Sequence, residues 1–404
     1  MSASSLASAD VRRHNLALVV SRLAELGTAS RSDLADATGL ARGSVTALVR
    51  RLQADGLVRE TEQVAAEGKG RPRTLLELSA DHLAIVTVLI DADRATAVAT
   101  ALGGARLSRV ERRHGRPMGD PGRVLDVAAA VFDEVLDSIA GRRVAEASVI
   151  VWAPVAGEPP IVLADTDLGW GAVDVLGLLA ERAPRFADLV EAGRVHLMAD
   201  TLVAALAEHA SAGRPSGLLY LKSDSGIGGA IVVDGTPLDG SHHLAGALGH
   251  LPIVQGGVRC ECGQHGCLVT VAGPDAVLAR SGLDEIARAE GLPAALDEFV
   301  RRVRSGDDVA TSVWRDAAAE LARALQIVTL TVDPALIVVG GYLAALADDL
   351  AEVLARIQPV VGEVTVTPPP LLGSRLGRDA ALVGAEHAAV VRLLADPAAL
   401  SRSH

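Results

Sequence analysis

All three cysteines of this 404-residue chain fall within one octapeptide, C-E-C-G-Q-H-G-C, at residues 260–267. Clustered thiols of odd number, Cys260, Cys262 and Cys267, suit a metal ion better than a set of disulfides. The spacing C-x-C-x4-C is tight enough to surround one ion, and Gly263 and Gly266 let the loop turn sharply around it. Zinc is the first choice, because three thiolates need only one more ligand to complete a tetrahedral shell. His250, in G-H-L-P-I just upstream, is the nearest well-placed imidazole, with His242, His243 and His265 as competitors. A closed set of this kind holds zinc too tightly to sense it, so the expected ion is structural.

Other residues suggest a ligand cleft. Asp200 follows the apolar stretch V-H-L-M and opens a helix, where a carboxylate serves either as an N-cap or as a base and acceptor for a ligand hydroxyl. The segment S-D-S-G-I-G-G-A-I-V-V-D-G reads as a glycine-rich hairpin whose backbone amides could cradle a phosphate. Gly340 and Gly341 end the strand-like run A-L-I-V-V-G-G and fit either a tight turn or a nucleotide contact.

The elements that would carry these groups differ along the chain. Residues 1–80 hold 11 Lys+Arg against 9 Asp+Glu, whereas residues 81–404 hold 27 against 41. The acidic remainder argues against nucleic acid, and the mildly basic start does not. Residues 1–11 lack periodicity and are expected to form a mobile arm. From Arg12 a first helix places Leu16, Val19, Val20 and Leu23 on one face and ends at Gly27. Ser30, with Asp33 three residues on, marks the start of a second helix closed by Gly39. The next helix turns Val45, Leu48, Val49 and Leu52 inward, and the pair reads as helix-turn-helix.

Left outside on that last helix are Arg42, Gly43, Ser44, Thr46, Ala47 and Arg50. Small residues permit close approach to a major groove, the hydroxyls reach phosphates or base edges, and arginine reads guanine or neutralises phosphate. Two alternating runs, joined by A-A-E-G-K-G-R-P-R, then form a wing whose tip carries Lys69, Arg71 and Arg73. The partner implied is a double-stranded DNA operator.

Beyond Leu83, short apolar runs alternate with helical stretches, an α/β pattern in two halves divided near Asp200. The chain opens with no signal-peptide pattern and has no membrane-spanning run, so a cytoplasmic protein is expected.

The order of winged helix, G-I-G-G, G-H, C-x-C-G-x-x-G-C and V-V-G-G resembles the ROK family of repressors, open reading frames and sugar kinases. The resemblance spans nearly the whole chain. It implies an N-terminal winged helix-turn-helix followed by a two-lobed, actin-like (ribonuclease H-like) domain. The segments it implies are a reading head at 12–80, a first lobe at 81–200 plus 380–404, and a second lobe with the zinc motif at 201–379. It assigns His250, Cys260, Cys262 and Cys267 as zinc ligands, His250 also as a sugar contact, and Asp200 as the position of the family's catalytic aspartate.

Departures from the family pattern shape the functional expectation. The phosphate loop Asp-x-Gly-Gly-Thr is here D-A-D-R-A, Asp91 to Ala95, and without glycine the backbone cannot closely approach a phosphate. Ala247 stands where the family has a sugar-binding glutamate, the glutamate expected after the last cysteine is missing from C-L-V-T, and Asp167 replaces an asparagine. The expectation is therefore a non-enzymatic transcriptional regulator, a repressor of carbohydrate-related genes. It would be a homodimer or tetramer on an inverted repeat, gated by a carbohydrate effector at Asp167, Asp200 and His250. Two rivals remain distinct: a sugar kinase with an appended DNA-binding domain, and a constitutive regulator whose body only dimerises. The non-polar Ala199, Ala247 and Val269 favour the latter.

Overall fold

The computed structural model describes residues 8–64, 73–79, 81–357, 360–361, 364–365 and 367–396. Helix α1 (Ser8–Leu26) takes in residues 8–11, earlier than the pattern from Arg12 indicates, and ends before Gly27, whose φ is +70°. A short strand β1 (Thr28–Ser30) leads into α2 (Arg31–Thr38) and α3 (Arg42–Ala54). Ser30 and Asp33 form a reciprocal capping box: Asp33 N–H donates to Ser30 Oγ at 3.3 Å, and Ser30 N–H donates to Asp33 Oδ2 at 3.0 Å. This satisfies two amides that a helix start otherwise leaves orphaned. Gly39 closes α2 in the left-handed region, where a glycine carries no Cβ penalty. Strands β2 (Val58–Val64) and β3 (Arg73–Leu78) complete a sheet of order β1-β3-β2.

Two five-stranded sheets follow. The first comprises β4 (Leu83–Ile90), β5 (Arg94–Thr100), β6 (Arg106–Arg113), β7 (Arg143–Val151) and β8 (Val195–Ala199), in the order β8-β7-β4-β5-β6. The second comprises β9 (Gly217–Ser223), β10 (Gly228–Val233), β11 (Thr236–Pro237), β12 (Leu336–Gly341) and β13 (Leu371–Gly373), in the order β11-β10-β9-β12-β13. Each sheet pairs an antiparallel meander with parallel strands on its other side, so the two lobes repeat one topology. Strand β4 is buried along its whole length, as expected for a central strand covered on both faces.

Helix α4 (Pro121–Ser138) covers the first sheet, while α6 (Leu292–Ser305) and α7 (Asp308–Val332) belong to the second core. Between the sheets lie α5 (Asp200–Ser211) and the last helix α8 (Ala380–Ala395). These two cross closely: a Cβ on Gly384 would sit 1.9 Å from the carbonyl oxygen of Val203, so only glycine fits there. Helix α8 also packs on β4 and β7.

A further core joins head and body. Val19, Val20 and Leu23 of α1 share one cluster with Ile85, Leu102, Ala145, Ala389, Leu393 and Leu394. Burying each large aliphatic side chain there contributes on the order of 1.5–3 kcal/mol. The head is therefore packed on the body through α8.

Candidate functional site

Three groups of residues have site-like geometry. On α3, Val45, Val49 and Leu52 are fully buried beneath the helix, while Arg42, Gly43, Ser44, Ala47 and Arg50 are exposed. Thr46 is half-buried, and its hydroxyl donates to the Arg42 carbonyl at 2.8 Å, which leaves its oxygen as an acceptor only. The neighbouring cations are committed locally, Arg51 to Asp55 at 2.7 Å and Arg31 to Glu60 at 2.8 Å. Arg42 and Arg50 have no ion pair with another described residue and are available to an external anion. Arg73 begins β3, but its side chain lies outside the described residues, as do Lys69 and Arg71.

The second group is the cysteine loop. His250 ends a short 3-10 turn, Leu248–His250, and the loop folds back so that Cys260 N–H donates to the Gln264 carbonyl at 2.8 Å. Gly263 and Gly266 have φ values of +90° and +72°, and a Cβ on Gly266 would lie 2.0 Å from the Val254 oxygen. The donor atoms of His250, Cys260, Cys262 and Cys267 lie within 4.8 Å of one another. Sγ of Cys260 is 3.6 Å from His250 Nδ1, and Sγ of Cys262 is 3.6 Å from that of Cys267. Tetrahedral zinc with its usual bond lengths requires ligand separations of roughly 3.5–3.8 Å. The residues thus fit a metal ion.

The electrostatics agree. Burial pushes the Cys267 thiol up to about 12, aided by hydrogen bonds with Cys262 and Cys260, so three thiolates together need a cation. Burial pushes the His250 imidazole down, toward the neutral form that ligates metals. The competing histidines lie outside the cluster, with His243 Nδ1 2.6 Å from Asp239.

The third group is a cavity of about 340 Å³ between the lobes, lined among others by Trp152, Asp167, Ser225, His250, Arg116 and Asp275. The metal loop forms one wall, since Cys260 and Glu261 also line it. Arg116 spans the mouth, donating to both carboxylate oxygens of Asp275 at 2.9 Å and to the Asp167 carbonyl at 3.0 Å. The Asp167 carboxylate lies against Gly226, where a Cβ would come within 2.7 Å of it, and burial raises its pKa. His250 and Asp167 therefore face one cavity.

Asp200 does not line that cavity. It is the first residue of α5 and not its cap; its Oδ1 accepts from Thr201 N–H at 2.6 Å, and its Oδ2 lies 3.0 Å from Lys222 Nζ. Burial pushes its carboxyl up to about 6 against the pull of Lys222. The link to the cavity is Trp152, which lines it and whose ring centroid is 4.6 Å from Lys222 Nζ.

The D-A-D-R-A turn is closed on the protein itself. Asp93 is buried and accepts from Leu292 N–H, the start of α6, at 3.2 Å, while Arg94 Nε donates to it at 2.8 Å. Sequence reading treats Asp93 as added charge in a phosphate loop, and the structure turns that charge to a helix N-terminus, where it is favourable.

Sequence reasoning did not single out Lys222, Arg116 or Asp275. Lys222 carried a usable signal, being one of only two lysines in the chain and lying inside an apolar strand. The Arg116–Asp275 pair carried none, since 159 positions separate its members.

A family model described as the ROK family matches residues 90–391, and one described as winged helix-turn-helix DNA-binding matches residues 20–59. The DNA-binding transcriptional repressor Mlc of Escherichia coli (strain K12) is 23% identical over 363 residues, 85% of each chain. Kanosamine kinase of Amycolatopsis mediterranei is 34% identical over 141 residues, 35% of this chain and 45% of that protein. Among solved structures, a ROK family transcriptional regulator homologous to the E. coli MLC protein superposes with a TM-score of 0.72 at 23% identity. That match covers 96% of this chain and 98% of the other, and establishes a common fold. No described helix is long and apolar enough to cross a membrane.

Proposed function

The chain belongs to the ROK family, and from that premise we propose that it is a DNA-binding transcriptional repressor of carbohydrate-related genes, gated by a ligand in the cleft between its lobes. The observation that carries this reading is the junction of head and body. A winged helix-turn-helix with an exposed, cation-bearing α3 shares a hydrophobic core with the last helix of a cleft-containing body. A DNA-binding domain on a loose tether would sense nothing of the cleft, whereas one packed on α8 moves with it.

In the proposed mechanism Arg42, Ser44, Thr46, Ala47 and Arg50 meet the major groove. Lys69, Arg71 and Arg73 on the wing add phosphate or minor-groove contacts. A homodimer or tetramer would present two heads to an inverted repeat, with half-sites about 34 Å apart or a multiple of that. A carbohydrate effector contacting Asp167 and His250 would change the angle between the lobes. Asp200, at the start of α5, would follow that change through Lys222 and Trp152. Helix α5 meets α8 at the Val203–Gly384 crossing, and α8 meets α1 through Leu393 and Leu394. The head would then lose its operator spacing, which is a coupling between two distinct sites.

Zinc would be held by His250, Cys260, Cys262 and Cys267, supplying a structural cross-link that fixes the loop walling the cavity. His250 then has a fixed ring orientation toward the cavity.

Kinase activity is disfavoured by the same residues. Asp93 and Arg94 close the turn that a phosphate would need, and Lys222 engages Asp200, the position of a catalytic base. The solved ROK hexokinase and glucokinase cover 77% and 76% of this chain and nearly all of their own, which leaves about a quarter of this chain without a counterpart in them.

Selection of bound fragments from genomic DNA, with and without a carbohydrate panel, tests the reading. It predicts enrichment of an inverted repeat that one carbohydrate releases. Absence of any salt-sensitive preference for one DNA sequence over another would overturn it.

A further inference from the structure

The lobes meet through contacts that differ sharply in burial. The turn Asp91–Ala95 joins β4 to β5 of the first sheet, yet Ala92 belongs to the second hydrophobic core, together with Leu292, Ala295 and Leu296 of α6. Next to it, Asp93 is 5% exposed, and its Oδ2 accepts from Leu292 N–H at 3.2 Å. Gly291, with a φ of +101°, permits this approach, because a Cβ there would collide with Asp93 Oδ2. Arg113, at the end of β6, adds a bond to the Ala289 carbonyl at 2.9 Å. An apolar anchor and a buried carboxylate on a helix start cannot part without stranding a charge, so this contact stays closed.

The exposed contact is that of Arg116 with Asp275. Arg116 follows β6 in the first lobe, and Asp275 is the second residue of the helix Pro274–Arg280 in the other. The guanidinium donates to both carboxylate oxygens at 2.9 Å and, through Nε, to the Asp167 carbonyl at 3.0 Å. A bidentate fork is strong among ion pairs, but the Asp275 side chain is 64% exposed, so water can take the place of Arg116. The segment carrying Arg116 hangs from the buried contact, since His114 and Gly115 N–H donate to the Asp93 carbonyl at 2.9 and 3.2 Å. Gly115 and Arg116 then take φ values of +74° and +54°. An arginine in the left-handed region is disfavoured unless its surroundings hold it there, and the bonds to Asp275 and Asp167 do so.

We propose that the Asp91–Ala95 turn is the pivot between the lobes and that the Arg116–Asp275 pair is the latch that fixes their angle. Arg116, Asp275 and Asp167 all line the cavity. A ligand that engages Asp167 competes for the segment that Arg116 holds, and so frees the latch while the pivot stays closed. Unlatching by substitution then reproduces, without ligand, the lobe movement that weakens operator binding. That link to DNA rests on the proposed gating of the cleft, whereas the latch itself does not.

The experiment uses full-length, zinc-loaded Arg116→Asn, Asp275→Asn and the double variant. Asparagine tolerates the left-handed region, so the first variant loses the guanidinium without added backbone strain. Amide exchange read by mass spectrometry is expected to rise about tenfold or more at 116–119 and 273–278 in each variant, and also at the other cavity walls around Trp152 and Ser225–Ile227. The peptide bearing the Leu292 amide should stay protected. In fluorescence anisotropy with an operator duplex recovered by genomic selection, each single variant should bind about fivefold or more weakly, and the double variant no worse than either. Should Arg116→Asn be too unstable to purify, Asp275→Asn decides the question from an exposed position. Exchange that rises only beside the substituted residue, or a Leu292 amide that loosens with the rest, would overturn the latch and pivot. Faster exchange on all walls with unchanged operator affinity would uphold the latch and sink the gating of DNA binding by lobe angle. If selection recovers no operator, the exchange pattern alone decides for or against the latch.

Discussion

Gly384→Ala isolates the path from cleft to head. An alanine Cβ there would lie 1.9 Å from the Val203 oxygen and 2.5 Å from its carbonyl carbon, where ordinary contact begins near 3.4 Å. Backbone cannot yield as a side chain does, so α5 and α8 must separate by about 1.5 Å, the difference between those separations. Forced overpacking of this kind costs on the order of 1–3 kcal/mol, a drop of several degrees in melting temperature. The displacement reaches Leu393 and Leu394 on α8, and through them Val19, Val20 and Leu23 on α1. Since typical coupling between two sites is about 1–3 kcal/mol, the ratio of operator affinities without and with effector should shrink by roughly 5- to 150-fold. Fluorescence anisotropy of a labelled operator duplex reads that ratio, and a melting curve on the same sample reads stability. A lower melting temperature with an unchanged affinity ratio would refute α8 as the route.

Other consequences are independent. Arg42→Ala and Arg50→Ala should each weaken operator binding; the one that contacts phosphate should reduce the salt slope by about one and act on all sequences alike. Cys260→Ser, or zinc removal by a chelator, should lower stability and operator affinity together, because the loop that walls the cavity loses its cross-link; loss of DNA binding in a protein that melts normally would contradict a structural ion. Burial pushes the Asp165 carboxyl up to about 7, partly offset by the amide of Leu168. The folded state then keeps a proton that the unfolded chain has released. Stability should therefore fall as pH rises through 7, by about 1.4 kcal/mol between pH 6 and 8 in saturating zinc. Denaturant melts of Asp165→Asn should lack that part of the slope.

Local features were legible in the sequence because short-range chemistry makes them. Ser30 and Asp33 cap α2 as their spacing requires, Gly39 takes the left-handed cap, and the inward residues of α3 follow the helical period. The cysteine loop is likewise local: Gly263 and Gly266 turn it, and His250 lies only ten residues before Cys260. Contacts between distant segments were not legible. Lys222 meets Asp200 from another lobe, Arg116 meets Asp275 across the cleft, and α8 joins two domains through residues that read simply as apolar. The reading of Asp93 as unfavourable charge followed from its own loop alone. Its partner, the N-terminus of α6, lies 199 positions away.

The most direct measurement of the central claim is operator affinity of the zinc-loaded protein against salt and against a panel of carbohydrates. The account predicts nanomolar-range, salt-dependent binding to an inverted repeat that one carbohydrate weakens by about tenfold or more. Binding that no carbohydrate alters, with α3 still required for it, would contradict the gating claim and leave a constitutive DNA-binding protein.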